Sequence, residues 1–375
     1  MRTFLDRLNI TKTTLLLDKS KAFANIEFMA KKAQRCGVRL RPHFKTHQSA
    51  QIGEWFRQHE IDAITVSSVE MAQYFARHGW RDITIAIPVN LREIDAINQL
   101  AQKVTLHLVV ESQHSIDFLI THIKASVHIW FKIDIGYHRA GIDYGKTAEI
   151  VAMAQAVQQA ELLQLAGILT HSGHTYKAKS ADGVAEIYRQ TFDRMQAVRT
   201  EITAATGAKI EISIGDTPSC TLVDDLSEVD EIRAGNFVFF DLMQVHGQVC
   251  AFEQVAVAVA CPVIAIHPAR NEILLYGGAV HFSKDTLSDS AGQALFGQVM
   301  RADEQSWGEP VPGAKLVSLS QEHGIVRADP AFLQQTKVGD VLLILPVHSC
   351  LTANLMGDYL TLDGEVVRSM TSKKY

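Results

Sequence analysis

The segment Arg41-Pro42-His43-Phe44-Lys45-Thr46-His47 holds the residue with the most chemical potential in the chain. It follows a short apolar run, Val38–Leu40, which puts Lys45 just past the end of a strand. Pro42 disfavours helix at Arg41 and has no amide proton, as suits a chain leaving a sheet. A lysine desolvated there, among cationic and aromatic neighbours, loses its proton more readily. It becomes the free amine that Schiff-base chemistry with a carbonyl cofactor requires. A second segment, Pro346-Val347-His348-Ser349-Cys350, follows the apolar run Val341–Leu345. If the strand conformation continues, His348 and Cys350 project to one face and offer imidazole and thiolate to a single ion. That soft pair suits Zn²⁺, and two protein ligands leave positions for water or substrate, as a catalytic metal requires. Gln321-Glu322-His323-Gly324 supplies candidate outer partners. The plain alternatives are a solvated loop lysine and a small buried cysteine, the role assigned to Cys36, Cys220, Cys250 and Cys261.

These residues need a frame to position them, and the first two thirds of the chain provide one. Apolar runs at Val38–Leu40, Ala63–Ser67, Ile83–Ile87, Thr105–Val110, Val127–Asp134, Leu163–Thr170, Lys209–Ile214 and Glu231–Arg233 read as strands. Amphipathic segments lie between them at Ser49–His59, Ser68–His78, Leu91–Ala101, Ser112–Ile123, Thr147–Gln158 and Ile187–Ala205. Strand–helix alternation implies parallel strands with helical crossovers, and eight of them favour a closed (β/α)8 barrel over an open sheet. After about Gly247 the runs Val255–Ala260, Val263–Ile266, Ile273–Tyr276, Lys315–Leu319 and Val341–Leu345 follow one another with little helix, the pattern of a mostly antiparallel β domain. The expected division is therefore a barrel over residues 18–247 and a β domain over 248–375 that includes 1–17. The early run Thr13–Leu17 can join either domain.

In a parallel barrel, chemistry gathers at the carboxyl ends of the strands. The fifth end delivers Asp134-Ile135-Gly136-Tyr137-His138-Arg139-Ala140-Gly141, and the sixth Thr170-His171-Ser172-Gly173-His174-Thr175-Tyr176. Arg139 either pairs with Asp134 or uses its rigid fork to hold a phenolate or carboxylate. His171 is either a strand-end structural histidine or a ring stacked on a planar heterocycle. The seventh and eighth ends, Gly215-Asp216-Thr217-Pro218-Ser219 and Arg233-Ala234-Gly235-Asn236-Phe237, suit a phosphate. Their glycines allow close backbone approach, Thr217 adds a hydroxyl, and a helix starting there points its first amides at the anion.

Composition narrows the function classes. The 375 residues are 47% hydrophobic and 21% charged, with a net charge of −5 spread evenly, which excludes disorder and makes nucleic acid a poor partner. The charged N-terminus lacks a signal-peptide core and no apolar run reaches membrane-spanning length, so no membrane partner is expected. Five scattered cysteines argue against a disulfide scaffold and for a reducing cytoplasm.

With these motifs assembled, the chain resembles the alanine-racemase-like (fold type III) pyridoxal-phosphate enzymes, and within them the D-serine dehydratase and D-threonine aldolase family. The resemblance covers nearly the whole chain, from the Lys45 motif to His348-Ser349-Cys350. It implies that Lys45 carries pyridoxal 5'-phosphate and shuttles the substrate's α-proton. Arg139 then contacts the cofactor's phenolic oxygen, His171 packs on the pyridine face and Tyr176 lines the site. Gly215, Asp216, Thr217, Gly235 and Asn236 cradle the phosphate, mainly through backbone amides, while His348 and Cys350 bind the metal. Phe237 departs from the tyrosine that relatives often place there. In this family a His-x-Cys pair is typical of zinc-dependent dehydratases of D-serine or 3-hydroxyaspartate. The aldolases more usually carry aspartate at the second position and use Mn²⁺ or Mg²⁺. The resemblance thus implies a PLP- and zinc-dependent lyase acting on a small D-3-hydroxy amino acid, working as a homodimer. The alternative is an aldolase giving glycine and an aldehyde. A racemase has no use for a metal beside the β-hydroxyl, and a non-catalytic cofactor carrier resembles the barrel alone.

Overall fold

The computed structural model describes residues 3–288 and 292–372. The chain forms two compact units, one of residues 28–45 and 53–235, the other of residues 1–27, 46–52 and 236–375. The first strand, β1 (Thr14–Leu17), belongs to the second of these.

The unit around residues 53–235 is the barrel. Its strands are β2 (Arg39–Leu40), β3 (Ala63–Val66), β4 (Asp82–Pro88), β5 (Thr105–Val110), β6 (Val127–Asp134), β7 (Leu163–Leu169), β8 (Glu211–Ile214) and β9 (Glu231–Ile232). All pair in parallel, in the order β2-β9-β8-β7-β6-β5-β4-β3. The two ends of that order meet in one bridge, His43 to Thr65, so the barrel is nearly closed. Residues such as Ile64, Leu106, Ile129, Phe131, Ile168 and Ile212 are buried, as strands covered on both faces require. The helices fall where the periodicity places them, with caps setting their starts. The long helix Ala181–Thr206 begins six residues before the predicted Ile187 because Ser180 accepts from the Gly183 amide and starts it there.

Part of the barrel interior is polar. Arg41, fully buried, gives Nε to Glu231 at 2.6 Å and its Nη groups to Asp82. Glu231 also accepts the Ser213 hydroxyl at 2.7 Å, and that hydroxyl accepts Arg233 Nε at 2.7 Å. On the other side Asp82 lies 3.0 Å from His107 Nε2, while His107 Nδ1 accepts the Trp130 indole proton at 2.9 Å. A continuous polar chain thus ends on Arg233.

The second unit is a nine-stranded sheet. With β1 it contains β10 (Val257–His267), β11 (Glu272–Tyr276), β12 (Gly297–Ala302), β13 (Trp307–Leu319), β14 (His323–Arg327), β15 (Val341–Pro346), β16 (Tyr359–Thr361) and β17 (Val366–Val367). The order is β11-β14-β13-β12-β15-β10-β1-β16-β17, and β10 also pairs β11. Every ladder is antiparallel except that of β1 with β16. Two runs expected as separate strands, Val255–Ala260 and Val263–Ile266, are largely one strand, β10, which passes through Pro262 with a bulge between Val263 and Ala265. The sequence reading missed β12 and β14, whose exposed Arg301, His323 and Arg327 break up any apolar run.

Candidate functional site

At the carboxyl ends of the barrel strands, cationic groups converge. Lys45 stands exposed five residues beyond β2. Its charge acts on His43, His171 and Lys132, which also feel Arg233 or Arg139. Burial, reinforced by these cations, holds His43 and His171 well below the usual imidazole range. Burial and the same like charges bring Lys132 down to about 7, with Glu111 opposing. The desolvation expected at Lys45 is not observed, since the residue is exposed; its charge instead adds to the burial that holds these neighbours down.

The predicted barrel residues pack together. His171 places Nδ1 2.8 Å from the Gly215 carbonyl, which makes that nitrogen the N–H donor of a neutral ring and leaves Nε2 as acceptor. Its ring lies edge-on to Tyr137 at 6.0 Å and tilted against Tyr176 at 6.1 Å. Arg139 sits over the Tyr137 ring, 5.4 Å from its centre. The Arg139–Asp134 pairing left open by the sequence is not made. One Asp134 oxygen accepts the amides of Gly136, Tyr137 and His138, and the other faces the His138 ring. Close approach fixes two glycines: a Cβ on Gly173 would meet the Tyr137 ring at 2.2 Å, and one on Gly215 would meet Arg233 Nη1 at 2.9 Å.

The turn after β8 opens a helix, Thr217–Leu222, as expected, with Asp216 as its N-cap. The Asp216 carboxylate is buried and accepts Ser219 N and the Thr175 hydroxyl, each at 2.9 Å. The Tyr176 hydroxyl lies 3.3 Å from the Thr217 amide. Gly235 is half-buried between β9 and the turn Asn236–Val238.

The other unit holds the second constellation. The strand-based argument for His348 and Cys350 fails locally: β15 ends at Pro346, and His348 is the N-cap residue of a helix, Ser349–Met356. The start of that helix nonetheless brings the two side chains together. Although burial lowers it, the Cys350 sulfur, Asp241 and Asp285 push the His348 imidazole up to about 10. His348 Nδ1 lies 2.6 Å from Asp285 Oδ2. The Cys350 sulfur has the Thr46 hydroxyl at 3.3 Å and the Asn236 carboxamide nitrogen at 3.6 Å. Asn236, expected at the phosphate, commits that nitrogen here, donating also to Asp241 at 2.8 Å and to Ser349 Oγ at 3.0 Å. The expected outer partners Gln321–Gly324 form instead the hairpin between β13 and β14, and their backbone carbonyls receive the amides of Gly277 and Val280. Among the described residues no cluster of three or more His, Cys, Asp or Glu side chains is arranged for a metal. A pair completed by water or substrate is what the donors can offer, and their soft character fits zinc.

Two family models match: "Alanine racemase, N-terminal domain" over residues 17–242 and "Putative serine dehydratase domain" over residues 256–362. The chain is 29% identical over 410 residues to D-serine dehydratase of Dictyostelium discoideum, covering 99% of this chain and 98% of the relative. It is 30% identical over 372 residues to D-threo-3-hydroxyaspartate dehydratase of Delftia sp. (strain HT23), covering 96% of each. The solved structure of the Delftia enzyme superposes with a TM-score of 0.87 at 28% identity over the full length of both chains. This chain belongs to the alanine-racemase-like D-serine dehydratase family. The family spans the two outcomes expected from the sequence, since D-threonine aldolase of Arthrobacter sp is also similar, 26% identical over 353 residues covering 91% of this chain and 86% of that one.

Within this family fold, the sequence reading assigned no role to Lys132, Arg233, His43 or Glu111. A signal for Lys132 existed: it is a charge inside the apolar run Val127–Asp134, on the same strand face as Asp134. Glu111, which accepts the Gly141 amide at 2.7 Å, had none, because its partner lies 30 residues away across a loop.

Proposed function

We propose that the protein is a pyridoxal-phosphate- and zinc-dependent lyase of D-3-hydroxy amino acids, a dehydratase of D-serine or D-3-hydroxyaspartate. The observation that carries this reading is the His348/Cys350 donor pair, with Nδ1 of its imidazole engaged by Asp285 and the Thr46 hydroxyl on its sulfur. Thr46 directly follows Lys45 in the chain. The barrel residues fit the cofactor: a lysine and a cationic surround for a phosphorylated ring. A variant of D-threo-3-hydroxyaspartate dehydratase has been solved in a metal-free form, which supports a metal in the family.

Lys45 would hold the cofactor and take the substrate's α-proton on Nζ. Arg139 would contact its phenolic oxygen, neutral His171 would pack on the ring, and Tyr176 would line the site. Gly215, Asp216, Thr217, Gly235 and the backbone of Asn236 would receive the phosphate. His348 and Cys350 would hold the zinc. When bound, pyridoxal phosphate supplies an electron sink for the α-carbanion, and zinc supplies Lewis acidity that makes hydroxide a tolerable leaving group. Loss of the α-proton and of hydroxide, followed by hydrolysis, turns D-serine into pyruvate and ammonia. The competing aldol cleavage removes the β-hydroxyl proton and breaks Cα–Cβ. A thiolate ligand and the two dehydratase relatives support elimination. All five cysteines are free and, among the described residues, no helix is long and apolar enough to cross a membrane, which supports a cytoplasmic protein. We further propose that it works as a homodimer, on the family resemblance.

Purified protein with D-serine, D-threonine and D-3-hydroxyaspartate, with and without zinc, should release ammonia and a 2-oxo acid in preference to glycine and aldehyde. Lys45→Ala should be colourless and take no borohydride label. Cys350→Ala should keep the cofactor's visible absorbance and lose ammonia release by roughly a thousandfold. Aldehyde as the main product would replace the dehydratase with the aldolase reading. Undiminished ammonia release by Cys350→Ala in a chelator would remove the metal from the mechanism.

A further inference from the structure

We infer that Asp285 is the positioning residue of the His348/Cys350 centre, fixing the tautomer and direction of the His348 ring so that Nε2 is the metal-binding nitrogen. The inference rests on the metal-pair reading above and extends it to a residue in a different segment, 63 positions earlier in the chain.

Three observations support it. The Asp285 carboxylate lies 2.6 Å from His348 Nδ1, the shortest contact the ring makes to a carboxylate. A carboxylate can only accept there, so Nδ1 carries the proton and the lone pair of the neutral ring belongs to Nε2. The segment bearing Asp285 is also held in place at a cost. Ser283, which ends the helix Ala279–Phe282, has φ 69° and ψ −175°, a region open almost only to glycine. Its hydroxyl oxygen receives the Asp285 amide at 3.2 Å. Finally, the metal-bearing helix anchors that same turn, because the Thr352 hydroxyl donates to the Phe282 carbonyl at 3.3 Å. A strained serine, a cap on the Asp285 amide and a tie from Thr352 together deliver one carboxylate to one imidazole nitrogen.

The consequence is a division of labour around the pair. Asp285 orients the imidazole and raises its basicity as a ligand, while Thr46 and Asn236 contact the sulfur. Loss of such an outer carboxylate lowers metal affinity by about 10–100-fold in other metal centres. Because the Asp285 side chain is 40% exposed, replacing it should leave folding intact.

The test is zinc affinity of the metal-stripped, full-length protein with pyridoxal phosphate bound, read by competition with a chromophoric chelator and without any turnover. Asp285→Asn should weaken zinc about 10–100-fold, with unchanged visible cofactor absorbance and melting temperature. Asp285→Glu should recover part of the loss, and Co²⁺-loaded Asp285→Asn should retain its thiolate-to-metal charge-transfer band. If Asp285→Asn binds zinc like the wild type while His348→Ala does not, the positioning role is wrong and the proposed function stands. If His348→Ala also binds zinc normally, both readings fall together.

Discussion

Replacing Glu231 with alanine would test what holds the barrel beneath the site. Its carboxylate is fully buried and receives Arg41 Nε at 2.6 Å, Arg39 Nε at 2.9 Å and the Ser213 hydroxyl at 2.7 Å. With charge centres about 4 Å apart and an effective dielectric of about 20, the Arg41 pair alone contributes on the order of 4 kcal/mol. Removing one partner of a buried pair costs roughly 3–5 kcal/mol, because the remaining charge stays desolvated. Here Asp82 still faces Arg41, and the Arg39 side chain is 40% exposed and can rehydrate. Glu231→Ala should therefore lose about 3 kcal/mol. Glu231→Gln keeps an acceptor for Ser213 and should lose about half of that. The assay is urea denaturation followed by circular dichroism and by tryptophan fluorescence, comparing midpoints at constant slope. Arg41→Met/Glu231→Met, which removes both charges, should be more stable than either single change. Burial opposes ionisation of Glu231, but Arg41 and Arg39 outweigh it and lower its pKa. Its contribution is thus present above the unfolded glutamate value of about 4.3 and fades as the pH falls through the lower folded value. The gap between wild type and Glu231→Gln should narrow in that acid window. A Glu231→Ala protein within 0.5 kcal/mol of wild type at neutral pH, or a double variant no better than the singles, would refute the reasoning.

Two further outcomes are expected. Gly173→Ala would push its new methyl into the Tyr137 ring, displacing the face on which Arg139 rests, so pyridoxal-phosphate affinity should fall about tenfold in a fluorescence titration while the melting temperature moves by only a few degrees. Zinc affinity of the metal-stripped protein should rise with pH, because the metal must displace a proton that His348, despite its burial, holds above the usual imidazole range; a flat profile between pH 6 and 9 would contradict the imidazole as ligand.

Much of the fold was legible along the chain because its signals are local. Most barrel strands are apolar runs of a few residues between amphipathic segments, and burial on both faces makes such runs nearly unbroken, as in Ala63–Val66. The Lys45 motif, the Gly215 turn and the His348–Cys350 pair were visible for the same reason: each is a short segment whose residue types limit its chemistry. Strands β12 and β14 were not visible, because half-exposed strands in an antiparallel sheet carry polar side chains that interrupt the pattern.

Contacts between distant segments were decided by tertiary structure alone. No spacing rule joins Asp285 to His348, Glu111 to Gly141, or Thr46 to Cys350, since these pairs are brought together by packing of elements far apart in the chain. Packing also settled side-chain partners that the sequence left open. The Asn236 carboxamide turns to Asp241, Ser349 and Cys350 because a buried amide must find partners where it lies. Asp134 satisfies its own loop's amides and leaves Arg139 to the Tyr137 ring. The sequence by itself determined which chemical groups are present and which strand end each follows. Which group meets which depends on burial and hydrogen-bond satisfaction across segments, and that only the folded chain decides.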